Sequence, residues 1–521
     1  MIHSAGPIPD CAHRPDVLIV GGGAVGIAMA VDLSRRGMSV TVLEGGPREP
    51  VADYAERNAG PMTGRHHIGL AGGRMKALGG TTRLWGGQLV PFTRADIEER
   101  AFAGQPRWPV DFAEYRRWVD RAYDLLSVPS SVRDPSAAWA SATGRPADFG
   151  PALEIGMNLW LPQPDFAQLF ARDLAAPGLL NVIPDAEVTR IEFAAPGRVC
   201  AAHTARGAFS GREVVLACGT IEISRLLLRT AACETSCGFT DNRHLGRWFM
   251  DHLHGIIGEV TDADDGKISD LFDFIHRGGF RFGVKLRLSD EARLKQRLCN
   301  GVATLSPRMG LRQLLGDFSE LVRRLAGGHG SPVAALRHLI LMLRITAPLA
   351  WRYLVQRRSA LPFATGIAVG IEFEQIPSEN NYIFLDPAAP QSHARAGLHW
   401  APTGEEIDTV RTIALALQSE FEKRGLGNVS LDSRVLSADP QFLDDCHDAY
   451  HHMGGARIGA SAEEGVVDQD LKVWGTDNLF VAGAAVFPSG SYANPTLTAL
   501  ALSMRLADHL TARSRAPLGS Q

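Results

Sequence analysis

Long hydrophobic runs are what this sequence most plainly lacks: no apolar stretch reaches the roughly 18 uncharged residues of a membrane-spanning helix. The first fifteen residues, MIHSAGPIPDCAHRP, have neither an apolar core nor a twin arginine, so no secretion signal is expected. Cysteine is sparse. The seven present, at 11, 200, 218, 233, 237, 299 and 446, are scattered and odd in number, which argues against a disulfide framework and for a reducing, cytoplasmic setting. Cys233 and Cys237 stand four apart with no second cysteine pair or histidine pair nearby, so no metal site is expected. Excess charge is missing too. A formal charge of −4, with no long basic tract at either end, offers nothing to recruit nucleic acid. What remains is an ordinary soluble composition, 45% apolar and 21% charged, over 521 residues, a length that suits about two to four domains.

Against that background the stretch Asp16 to Gly46, DVLIVGGGAVGIAMAVDLSRRGMSVTVLEGG, is distinctive. An apolar run breaks at three glycines, a helical pattern follows to Arg36, Gly37 stops it, and a second apolar run ends at Glu44. That is a strand, helix, strand unit. Gly21, Gly23 and Gly26 match GxGxxG: the first permits the tight turn, the second lets the backbone approach a pyrophosphate, and the third lets the helix pack close to the sheet. The phosphates would meet unpaired amides near Ala24 at the positive end of the helix. Glu44, followed by Gly45, is the acid expected about twenty residues on, placed for a ribose diol and hostile to a 2′-phosphate.

The next motif is LAGGRMKALGGTTRLWGGQLVPF, from Leu70 to Phe92. With six glycines and few charges it suits neither an amphipathic helix nor an alternating strand, and it reads as backbone laid against a flat ligand through Gly79, Gly80, Thr81, Thr82, Trp85, Gly86 and Gly87. A charged helical zone, Arg94 to Leu126, with Trp108 and Trp118, is expected to cap the nucleotide domain, and Pro-rich linking runs to about Pro164. Strand patterns return at Val182 to Glu192 and Arg212 to Ala217. GREVVLACGTIEISRLLLRT then gives strand, glycine turn and helix, bringing Val188, Ala217 and Gly219 toward the same ligand, with Cys218 as packing.

From His252 to Trp400 the pattern changes. Alternation at Phe280 to Leu288 and Gly366 to Glu374 predicts an antiparallel sheet with one open face. Between them lies an insert, Pro307 to Arg358, with arginines at 308, 312, 323, 324, 337, 344, 352, 357 and 358 against only Asp317 and Glu320. Its VAALRHLILMLRITAPLAWRYLV stretch sets Arg337 and Arg344 seven apart on one side of an apolar helix that Pro348 is expected to kink or end. Such a helix serves as a lid or core element, a partner surface, or a membrane-interface anchor.

Two stretches near the end carry the chemistry: YHHMGGARIG, from Tyr450 to Gly459, and NLFVAGAAVFPSGSYANPTLT, from Asn478 to Thr498. The second, with Gly483 and Ala484, leads into a helix in which Asn494 suits the cap, Pro495 the first helical position and Thr496 the first turn. Leu497, Leu500, Met504 and Ala507 form its buried stripe. The positive pole at its start suits a reduced flavin.

With GGGAVG and Glu44, LGGTTRLWGG, VVLACGTIEISRLLL with LGRWFMDH, and HHMGGARIG with the terminal block, the chain resembles the glucose-methanol-choline oxidoreductases along nearly its whole length. The resemblance implies an α/β protein: a Rossmann-like FAD-binding domain built from discontinuous segments, with an α+β substrate domain based on an antiparallel sheet. The segments expected are 1–95, 180–251 and 445–521 for the FAD domain, 96–179 for a helical cap and linker, and 252–444 for the substrate domain with its basic insert 307–358. It assigns His451 as the active-site histidine and Asn494 as its partner, and YANPTLTA looks most like the pyranose 2-oxidase and glycoside 3-oxidase branch.

Where pyranose 2-oxidases carry a histidine bonded to the flavin, this chain has Leu84, so FAD is expected to be non-covalent. The implied reaction is oxidation of a sugar, glycoside or related polyol alcohol by hydride transfer to flavin, with His451 as base and Asn494 on the substrate oxygen. His452 should point the other way on an extended segment; with Glu374 and Gln375 it is a weaker candidate for substrate contact. Oxygen, a quinone or a carrier protein all suit as acceptor. An FAD monooxygenase and a flavin-binding protein without turnover are the alternatives.

Overall fold

The computed structural model describes residues 1–4, 14–98, 107–144, 149–307, 311–327, 331–356, 358–359, 366–390 and 394–515. Cys11, Arg308 and Arg357 lie outside them.

Val17–Val20 is apolar at every position and buried on both faces, the signature of a central parallel strand. It sits in the middle of a five-stranded parallel sheet in the order Leu479–Val481, Glu213–Leu216, Val17–Val20, Val40–Leu43, Leu180–Ile183. The helix Ala24–Arg35 packs on this sheet, and the helix Thr496–Arg515 packs on it in turn. The predicted stripe Leu497, Leu500, Met504 and Ala507 is fully buried. Phe112–Leu125, capped by Asp111, lies against the same terminal helix: Tyr115 Oη is 2.9 Å from Thr498 Oγ1, and Arg505 reaches Glu114 at 3.2 Å.

The run expected as one strand from Val182 to Glu192 is two. Pro184 and Asp185, the latter at φ 54°, turn the chain, and Arg190–Ala195 joins a separate three-stranded sheet with Arg198–Thr204 and Gly207–Phe209.

The second large sheet has ten strands. Its antiparallel path runs Arg358–Ser359, Phe274–Arg277, Phe280–Leu288, Gly301–Pro307, Ile367–Phe373, Leu253–Thr261, Asn428–Leu431. Both alternating runs of the sequence are members. Leu153–Trp160, in the stretch expected to be linker, is an eight-residue strand paired along its whole length with Phe280–Leu288. Its alternation is masked because both faces are covered. Gln88–Leu89, directly after the glycine run, pairs with Leu153–Trp160 and joins the two halves of the molecule. The helix Ile407–Arg424 is buried through Ile413, Leu417 and Phe421.

The basic insert forms two helices, Leu311–Ala326 and Pro332–Gln356, packed on each other. Ser331 caps the second, with Pro332 following it, as expected of a helix start. Pro348 does not end it: the helix continues to Gln356, because a single missing amide removes one hydrogen bond from a ladder supported on both sides. Nor is it a core helix, since Leu336, Ile340, Leu343, Trp351 and Leu354 are all exposed. Arg352 ties it to the body through Asp273 at 2.6 Å and Asp270 at 2.8 Å. Among the described residues no helix is long and apolar enough to cross a membrane.

Candidate active site

Strand ends and helix starts of the parallel sheet enclose a cavity of about 260 Å³. Gly21, Gly23, Ala24, Glu44 and Gly45 line it from the first unit, Gly80 and Thr81 from the glycine run, Val188, Ala217 and Gly219 from the middle, and Gly483, Ala484, Pro495 and Thr496 from the C-terminal segment. Residues up to about 470 positions apart in sequence thus share one wall. The helices beginning after Gly23 and Gly219 carry no side-chain cap, so their first amides are free to meet an anion. A side chain at Gly23 would meet nothing within 4 Å, whereas one at Gly80 would lie 2.9 Å from Gly23 Cα. The two glycine loops therefore touch while leaving open space between backbone and cavity. Glu44 is buried, its two oxygens accepting from Gly22 N at 2.7 Å and Gly46 N at 2.8 Å. Burial pushes its carboxyl up to about 7, partly offset by those two amides. This cradle, with an acid at one end and uncapped helix starts along it, fits a dinucleotide of the FAD type.

Seven expected residues stand outside the cavity wall. Gly26 is a packing glycine: a Cβ there would fall 1.9 Å from Gly21 O. Gly79, at φ 98°, backs onto Asp165 and Ala167. Thr82 donates to Gly79 O at 2.5 Å and accepts from Phe166 N at 3.0 Å, while Trp85 Nε1 donates to Pro164 O at 2.8 Å. Gly86 abuts Trp160 and Gly87 abuts Leu161. The second half of the glycine run is thus fitted to the substrate sheet rather than to the ligand. Asn494, the seventh, is turned to His451.

Charged groups that the sequence reading missed complete the wall. Arg74, Glu222 and Arg225 form a largely buried chain, Arg74 to Glu222 at 2.9 Å and Arg225 to Glu222 at 2.8 Å, and Lys76 pairs with Glu187 at 3.0 Å. Burial would raise the Glu222 carboxyl, but Arg225, Lys76 and Arg74 together hold it well below the usual range.

Beside the cavity the structure brings His451 and Asn494 together: Asn494 Nδ2 lies 2.7 Å from His451 Nε2. Asn494 is therefore not the helix cap. The first intrahelical bond runs from Ala499 N to Pro495 O, one residue later than expected, and Asn494 Oδ1 is buried without a hydrogen-bond partner. With the amide donating, Nε2 of His451 is the lone-pair nitrogen and Nδ1 carries the proton. That Nδ1 is 2.9 Å from His252 Nδ1 and 3.4 Å from Glu372 Oε1, and Glu372 Oε1 is 3.3 Å from His252 Nδ1. Lys285 Nζ holds the other carboxylate oxygen at 2.7 Å. Burial alone would raise Glu372, but Lys285, His252 and His451 override it and keep the carboxyl well below its usual range. Burial, with His252 beside it, lowers His451 to about 4.

Backbone placement comes from Asp251, whose Oδ1 accepts from His252 N at 2.7 Å, His451 N at 2.8 Å and Ala449 N at 3.3 Å. Tyr450, at φ 62°, makes the turn that sets the two histidines apart. His452 then faces Asp251 and His67 and lines the nucleotide cavity, while His451 faces Glu372. Glu374 and Gln375 brace the sheet: Glu374 Oε2 accepts from Asn300 N at 3.1 Å, and Gln375 Oε1 accepts from Asp251 N at 3.1 Å and Trp400 Nε1 at 2.9 Å. Glu372, one face-repeat earlier on the same strand, is the carboxylate that reaches the histidine.

A family profile described as FAD dependent oxidoreductase matches residues 16–235, and one described as GMC oxidoreductase matches residues 377–503. A 2-methyl-1,2-propanediol dehydrogenase from Mycolicibacterium austroafricanum is 23% identical over 96% of both chains. A C-glycoside 3-oxidase from Microbacterium trichothecenolyticum is 39% identical over 84 residues, 16% of each chain. Among solved structures, a formate oxidase superposes with a TM-score of 0.56 at 17% identity, covering 96% of this chain and 98% of its own, which establishes the shared fold. The two matched profiles mark the chain as an FAD-dependent oxidoreductase. The C-terminal profile and these relatives are those of GMC oxidoreductases, which this chain resembles along nearly its whole length.

Proposed function

We propose that this enzyme oxidises a CH–OH of a sugar, glycoside or related polyol to C=O, with His451 as the base. The observation that carries the reading is the 2.7 Å pairing of His451 Nε2 with Asn494 Nδ2, next to the cavity-lining Pro495. Segments 1–95, 180–251 and 445–521 hold FAD through the cradle around Gly23, Glu44, Gly80, Gly219 and Pro495, and 252–444 carries the substrate side. Bound FAD supplies the acceptor for the carbon-bound hydrogen, which leaves with its electron pair.

The chain's own residues handle the proton. A substrate hydroxyl that takes the place of the Asn494 amide at His451 Nε2 is oriented by that amide, and Nε2 then takes the hydroxyl proton. The ring then becomes a cation beside the Glu372 carboxylate, which stabilises the charge through Nδ1, while Lys285 keeps that carboxylate ionised and in place. Support for the substrate class comes from the C-glycoside 3-oxidase segment and from the diol substrate in the name of the dehydrogenase relative. Leu84 has no nucleophile and stands 45% exposed at the end of the Gly80–Arg83 turn, so FAD is held without a covalent bond. Acid precipitation is expected to leave all the flavin in the supernatant; flavin retained in the pellet overturns this.

The deciding experiment mixes oxidised holoenzyme anaerobically with free sugars, glycosides, polyols and simple alcohols and follows flavin bleaching, then identifies the oxidised carbon. Bleaching by a glycoside or polyol supports the reading. Bleaching by NADH alone would replace it with a monooxygenase.

A further inference from the structure

We infer that the helical arm Pro332–Gln356 docks the protein onto an anionic phospholipid surface. Among the described residues eighteen large hydrophobic side chains are exposed, and nine of them stand on this one helix, so the exposure is a local device and not a general property of the surface. Leu336, Ile340, Leu343, Trp351 and Leu354, between 41% and 67% exposed with their neighbours Leu339 and Val355, recur on one side of the helix at its 3.6-residue period. The stripe points away from the body, which Arg352 and Tyr353 grip from the other side through Asp270, Asp273 and His276. At 25 residues the helix is about 37 Å long.

The charges decide what covers the stripe. Residues 332–356 contain no Asp or Glu. Arg337 and Arg344 are exposed, lie about 80–100° round the helix from the stripe by its geometry, and pair with no carboxylate among the described residues. A second copy of the same face would bring these arginines together with no acid on the helix to neutralise them. Phosphate headgroups neutralise them directly, while the stripe enters the boundary of the acyl chains and Trp351 takes the interfacial position aromatics favour. The arm lies along the surface, since no described helix is apolar enough to cross one.

Flavin-loaded full-length protein should sediment with vesicles of phosphatidylcholine containing phosphatidylglycerol, be released by high salt, and stay in solution with phosphatidylcholine alone. Arg337→Gln with Arg344→Gln should lower the partition coefficient by about 30-fold, at roughly one interfacial arginine's worth each. Leu343→Asp should lower it about tenfold or more. Flavin content and circular dichroism of both variants should match the parent, which separates lost docking from lost folding. Failure of the parent to bind anionic vesicles, or undiminished binding by both variants, overturns the inference. A dimer that Leu343→Asp converts to monomer, without vesicle binding, assigns the stripe to self-association instead and overturns it as well.

Discussion

His451 is neutral at physiological pH because burial and His252 hold it near 4, and a neutral imidazole is what a proton acceptor must be. The rate of flavin reduction is therefore expected to be flat above about pH 6 and to fall as pH drops toward 4, with stopped-flow profiles as the check. The same residues set acid stability. His451, lowered to about 4, and His452, lowered to about 3, bind protons in the unfolded chain near 6.5 but not in the folded one. Their contribution is complete above 6.5 and is lost as pH falls through the folded values, so denaturant midpoints should decline over that window. His451→Ala should keep FAD yet slow flavin reduction by about 10²-fold to 10⁴-fold, the range of a general base; an unchanged reductive rate sinks the assignment.

Glu372→Gln removes the charge facing the developing cation and should cost roughly 10-fold to 10²-fold in the same step, less than loss of the base itself. Its diagnostic is the pH profile. Without the carboxylate the imidazolium loses its favourable neighbour, so the apparent pKa should move below that of the parent. A variant with a lower rate and an unmoved profile would make Glu372 a packing residue. The sequence did not point to Glu372 because its partner comes from another strand: antiparallel pairing sets Leu253 opposite Phe373, which makes His252 a diagonal neighbour of Glu372 across about 120 residues. No local pattern carries that register. The meeting of His451 with Asn494, by contrast, is expected from the family resemblance of the short motifs that hold them.

Among elements, the opening strand, helix and strand were legible because glycines, apolar runs and the terminal acid all obey one geometry. Gly26 shows how strict that geometry is. Gly26→Ala would gain about 1 kcal/mol of helix propensity, but its Cβ would fall 1.9 Å from Gly21 O, an overpacking that typically costs about 1–3 kcal/mol or more. A net loss in urea stability together with lowered flavin stoichiometry is the expected result; unchanged flavin content would show that the loop relaxes. Leu153–Trp160 was illegible for the opposite reason. Its LEIGMNLW is covered on both faces, so period-two alternation vanishes, and the flanking prolines give a linker's signature to a full sheet member. The expected cap at Asn494 falls one position short because a polar residue before Pro also has a cap's signature: its amide donates to His451 Nε2, and its Oδ1, the atom a cap would use, meets no backbone amide.

At the scale of the molecule, the parallel sheet takes its strands from residues 17–20, 40–43, 180–183, 213–216 and 479–481, and the cavity closes only where Gly483, Pro495 and Thr496 join Gly23. A nascent chain on the ribosome thus displays the phosphate-binding loop early but owns no finished cofactor pocket until synthesis has passed position 496. Flavin loading is consequently expected to follow assembly of the whole cradle. A polypeptide whose distant ends have not met lacks part of the cradle's wall, so yellow colour should report completed assembly.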